Sequence, residues 1–141
     1  ALSEAGHPIS LETKVGDFFE CGTLNEATIA QLLAMAALDN RNKHEWMQQG
    51  TVVVDGKRME LDHVGWPNKC DVEGWDQMRC VMEYVCPAYL PDAEVPTPER
   101  NPWDGFEYDN FGYTIVDAIV ERVTGEHVLH WIAELLLPPR K

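Results

Sequence analysis

Ile29, Leu32, Leu33, Ala36 and Ala37 recur at the three- and four-residue spacing that lines one face of a helix. They follow Thr23-Leu24-Asn25-Glu26, where Thr23 and Glu26 can form a capping box, so the pattern predicts a helix over 23–38. Farther along, Val52-Val53-Val54 and Lys57-Arg58-Met59-Glu60-Leu61 flank Asp55-Gly56. Asp-Gly supplies the two positive-φ residues of a type I′ turn, and a short β-hairpin is expected. Trp75, Met78, Val81, Met82 and Val85 form a second helical stripe over 73–86. Pro87, which lacks an amide hydrogen and clashes with the preceding turn, is expected to end it.

Prolines 87, 91, 96, 98 and 102 then punctuate a stretch of little periodicity, read as an ordered surface connection. Phe111, Ile115, Val116, Ile119, Val120 and Val123 make the strongest helical stripe in the chain, with Gly125 placed for a left-handed C-cap. A last helix carries Val128, Leu129, Trp131, Ile132, Leu135 and Leu136 and stops at Pro138-Pro139. There is no internal repeat. The pattern predicts a mainly α chain with one hairpin.

Composition narrows the class. The 141 residues, 45% of them hydrophobic, suffice for one globular domain spanning 1–141. Twenty-four acidic and eleven basic side chains give a formal charge of −13, which repels nucleic-acid phosphates and anionic lipid surfaces. No apolar run reaches the ~20 residues that span a bilayer, and Ala1-Leu2-Ser3-Glu4 does not read as a signal peptide. Neither nucleic acid nor membrane insertion is expected, and the compartment stays open.

Cys21, Cys70, Cys80 and Cys86 contain no C-x-x-C pair, so no structural zinc site is expected. They read first as small buried hydrophobes, with one or two disulfides as the alternative. A helix through 73–86 puts Cys80 and Cys86 on different faces, so any bridge should involve Cys70 or Cys21. The five histidines offer no H-E-x-x-H. His127 and His130, three residues apart, read as a polar helix face in preference to metal ligands. Asp62-His63 reads as a solvated strand end, because strand neighbours point to opposite faces. Trp66, Trp75 and Trp103 read as core or interface anchors.

The run Asn101-Pro102-Trp103-Asp104-Gly105-Phe106-Glu107-Tyr108-Asp109-Asn110-Phe111-Gly112-Tyr113 resembles the P-G-x-x-F-x-Y-S/A-N-x-G-Y stretch of the serine β-lactamase-related family. That family includes class C β-lactamases, esterases and D-aminopeptidases. Ile119-Val120-Glu121-Arg122-Val123-Thr124-Gly125 is similar to its I-I-E-x-V-T-G, and 135–138 to its closing I-x-x-P-L. Upstream, 6–15 resembles G-K-L-S-L-D-D-P-V and 27–33 resembles I-T-I-R-Q-L-L, while 39–100 diverges and the hairpin looks like an insertion. The resemblance implies the helical subdomain of the β-lactamase and transpeptidase fold, with Tyr108 as a proton-shuttling phenol and Asn110 as a substrate-amide donor.

The motifs that would complete the chemistry are missing. The family's nucleophile is the serine of S-x-x-K, activated by the lysine one turn away. Ser3 and Ser10 are the serines of this chain, and neither is followed by lysine at that offset. K-S/T-G is also absent. A tyrosine moves protons only where cations lower its pKa from ~10, and Asp109 between Tyr108 and Asn110 opposes a phenolate. The plainer expectation is that Tyr108 ties a loop to a helix start, with Asn110 in the cap. No cofactor is expected. The sequence points to a non-catalytic binding or assembly subunit whose partner is another protein chain or a second copy. The alternatives are one part of a split serine hydrolase completed by another chain, or a repurposed small-molecule binder.

Overall fold

Thr28 sets the first helix. Its hydroxyl accepts from the Gln31 amide at 3.2 Å, and the Gln31 carboxamide accepts from the Thr28 amide at 3.0 Å, a reciprocal capping box. The computed structural model describes residues 6, 8–38, 48–62, 66, 67, 70, 76–89, 108, 109 and 111–136. Within them α1 spans Ile29–Leu33 and not 23–38; a 3₁₀ turn at Gly22–Glu26 precedes it. The cause lies in residues 11–15. The Val15 amide donates to the Ala27 carbonyl and the Ile29 amide to the Thr13 carbonyl, both at 2.9 Å, with Lys14 and Thr28 forming an antiparallel bridge. This pairing draws 27–28 into an extended conformation, so a helix cannot pass through. Beyond α1, Met35 takes a positive φ of 53° and closes the helix early.

The hairpin forms as expected. Strands β1 (Thr51–Val54) and β2 (Lys57–Glu60) pair antiparallel with Val54 opposite Lys57 and Val52 opposite Met59. Asp55 and Gly56 have φ of 49° and 74°, the two positive values of a type I′ turn. Val52, Val54 and Met59 are buried, so one face of the hairpin joins the core.

Helix α2 (Gln77–Cys80) begins at an Asp76 cap whose carboxylate accepts from the Arg79 amide at 2.7 Å. It runs without a break through a π-helical segment, Val81–Val85, into α3 (Cys86–Tyr89). Pro87 therefore does not end the helix. In the π segment the Cys86 amide donates five residues back, to the Val81 carbonyl. The wider turn directly before Pro87 accommodates its ring and its missing donor. The start also differs: Asp76 caps, while residues 73–75 lie outside the described set.

Helix α4 (Phe111–Thr124) and helix α5 (Val128–Leu136) match the expected stripes, and Gly125 between them has φ of 73°. Helix α4 packs on α1, on α2 and on the π segment. Its stripe of Phe111, Ile115, Ala118 and Ile119 joins Val15, Leu24, Leu32, Val81 and Tyr84 in one buried cluster. Phe111, Tyr84 and Trp66 meet within it, with ring centroids 4.9 Å apart for Trp66–Phe111 and 5.8 Å for Trp66–Tyr84. Trp66 is thus a core anchor; Trp75 and Trp103 lie outside the described residues, as does the proline-punctuated stretch from 90 to 107.

All four cysteines are bonded: Cys21 to Cys86 and Cys70 to Cys80. The first reading, free buried thiols, is corrected. The sulfurs are buried, yet they also staple the core, and each bridge contains Cys21 or Cys70. No described helix is long and apolar enough to cross a membrane. The architecture is mainly α with one two-stranded hairpin.

Candidate functional site

Tyr108 and Asp109 face opposite ways at the start of α4. Tyr108 is 64% exposed, whereas Asp109 is 1% exposed and its Oδ1 accepts from the Phe111 amide at 2.8 Å. That contact satisfies an amide that the first turn of a helix leaves without an intrahelical acceptor, and it sets a negative charge at the positive end of the helix dipole. Asp109 supplies the cap at this helix start. The signal was in the sequence: an aspartate two residues before an apolar stripe. Asn110 lies outside the described residues. Among them, Tyr108 is the one residue of the expected Tyr-x-Asn pair that can be placed, and it is turned to solvent.

The next residues have structural work. A methyl group on Gly112 would stand 2.9 Å from the Leu32 carbonyl oxygen, so α4 crosses α1 at a distance only glycine permits. The Tyr113 hydroxyl donates to the Leu33 carbonyl at 3.0 Å. Asp109, Leu32, Met35, Ala37, Leu38 and Gly112 close around a recess with no room for a water molecule. The G-Y pair that carries part of the resemblance is therefore a joint between α4 and α1.

The other candidates resolve locally. The Ser10 hydroxyl accepts from the Glu12 amide at 3.3 Å, and Ser3 lies outside the described residues. His127 accepts through Nδ1 from the Leu129 amide at 3.1 Å, capping α5, and His130 Nε2 stands 3.3 Å from a Glu126 carboxylate oxygen. Among the described residues no three His, Cys, Asp or Glu side chains are grouped to hold a metal. Asp62 turns back on its own loop: its carboxylate accepts from the Trp66 amide at 2.8 Å and its amide donates to the Trp66 carbonyl at 2.7 Å. His63 lies outside the described residues. Lys14 pairs with Glu26, whose carboxylate raises the ammonium pKa by hydrogen bond and charge.

Helix α5 is the feature least absorbed by the fold. Its main neighbour is α4, and Leu129 and Leu136 are 64% and 76% exposed. With exposed Ala133 they occupy positions i, i+4 and i+7, one stripe along the helix. The side chains of Trp131, Ile132, Glu134 and Leu135 lie outside the described set. By contrast the α4 stripe is covered by α1, α2 and the π segment.

Comparison with protein-family models, with curated proteins and with solved structures gives no match.

Proposed function

We propose that this chain is a non-catalytic docking domain, built on the helical half of a β-lactamase-related scaffold, that binds another protein chain or a second copy through helix α5. The observation that carries the reading is the stripe of Leu129, Ala133 and Leu136, left in solvent by a chain that buries its other apolar stripe. An apolar helix face of this kind is stabilised by a partner's groove or by its own copy.

The packing is compatible with that scaffold. Of the sequence blocks that carry the resemblance, 6–15 meets 27–33 through the Lys14–Thr28 bridge, and 27–33 meets the end of 101–113 through Gly112 and Tyr113. An exposed Tyr108, a Ser10 hydroxyl bonded to its own turn and a chain without S-x-x-K favour docking over chemistry. The experiment is a charged substitution on the stripe, Leu129→Asp with Leu136→Asp, read by association. Hydrolysis of nitrocefin by the purified chain that Tyr108→Phe abolishes would overturn the non-catalytic half of the reading.

A further inference from the structure

Lys57 occupies a place on the hairpin where an apolar residue would extend the core. It stands opposite Val54 and two residues before Met59, both buried, so it shares their face of the sheet. That face meets the helix of 77–89 across an open groove of about 450 Å³, within the size range of small-molecule sites. On the helix side the groove is lined by Arg79 and by Met82 and Glu83, the last two in the π-helical segment, a turn type frequent at functional sites.

The charges set the class of ligand. In a chain of net charge −13, this groove gathers Lys57, Arg58 and Arg79 against Asp55 and Glu83, three cations less two carboxylates, one surplus positive charge. Arg79 is already held by Glu83, with Nε 2.9 Å from its carboxylate. The side chains of Lys57 and Arg58 make no ion pair or hydrogen bond among the described residues. Between the charges lies apolar surface: Val54 and Met59 below, and Met82, 54% exposed although it is a large apolar side chain. Methionine suits such a wall because its flexible thioether adapts to varied shapes.

From this juxtaposition we infer that the groove between the hairpin turn and the π-helical segment binds a small amphipathic monocarboxylate, its carboxylate on Lys57 and its apolar body against Met59 and Met82. The site is independent of helix α5, so it goes beyond the docking reading and can fail without it.

Octanoate is the probe, titrated into ¹⁵N-labelled chain and followed by amide chemical shifts. Saturable shifts are expected at 54–59 and 79–83, with a Kd of about 1 mM or tighter. Octylammonium and octanol should bind at least about tenfold more weakly, because each lacks the charge-assisted bond to Lys57. Lys57→Gln, at an exposed position, should raise the octanoate Kd about tenfold. Met82→Asp should weaken it comparably while leaving the amide spectrum of the unliganded fold in place. Absence of saturation by about 10 mM octanoate, about tenfold above the expected Kd, overturns the inference, and so does equal binding of octylammonium or an unchanged Kd in Lys57→Gln.

Discussion

A methyl group at Gly112 would meet the Leu32 carbonyl oxygen at 2.9 Å, and neither backbone can yield without parting α4 from α1. Gly112→Ala should therefore destabilise the fold by about 1–3 kcal/mol in a urea titration, the usual cost of overpacking a tight joint. A loss of less than ~0.5 kcal/mol would mean that the crossing is looser than this contact requires. Asp117 offers a test through pH. Partial burial raises its carboxyl pKa from 3.8, with charge attraction to His127 opposing the rise. The folded state then holds the proton to higher pH than the unfolded chain does, so stability falls as pH rises from the ordinary carboxylate range through the folded pKa. Asp117→Asn should stabilise the protein at pH 7 by under about 1 kcal/mol, discounted for the residue's solvent contact, and the gain should vanish below the carboxylate range. Thermal melts of both proteins across that range provide the measurement; an Asp117→Asn chain that melts lower at pH 7 would contradict it.

At the scale of elements, the bridges divide the stabilising work unequally. Cys21–Cys86 closes 65 residues and Cys70–Cys80 closes 10. Loop-closure entropy assigns them about 4 and about 3 kcal/mol. Replacing the first pair with serine should thus lower the unfolding midpoint more than replacing the second, and the reverse order would show that strain or unfolded-state structure dominates. Elements whose signals are local were legible in the sequence: the Asp55-Gly56 turn, the Phe111–Thr124 stripe and the Gly125 cap need only near neighbours. Those set by distant contacts were not. Thr23 and Glu26 have the composition of a cap, but the pairing of 13–15 with 27–29 moves the helix start to Thr28's neighbour. Pro87 has the chemistry of a helix stop, and only the five-residue hydrogen bond before it lets the helix continue. At the candidate site, Tyr108 was singled out by resemblance while Asp109, its neighbour, caps the helix. The groove at Lys57 had no signal in the sequence, because it depends on how the hairpin lies against 77–89.

For the whole molecule, a formal charge of −13 sets a general repulsion between copies, which an apolar interface must outweigh. The fold buries the α4 stripe in a core stapled by two disulfides and leaves the Leu129–Ala133–Leu136 stripe of α5 outside it. Association through α5 should accordingly strengthen with salt, as screening removes the repulsion and leaves the apolar contact. The most direct measurement is sedimentation equilibrium of the purified, oxidised chain at about 100 μM, a concentration at which even a weak helix-mediated contact of micromolar Kd is populated. The account predicts reversible association that Leu129→Asp with Leu136→Asp abolishes, while helix content by circular dichroism stays unchanged. A monodisperse monomer that neither binds the dye ANS nor responds to that double substitution would contradict it.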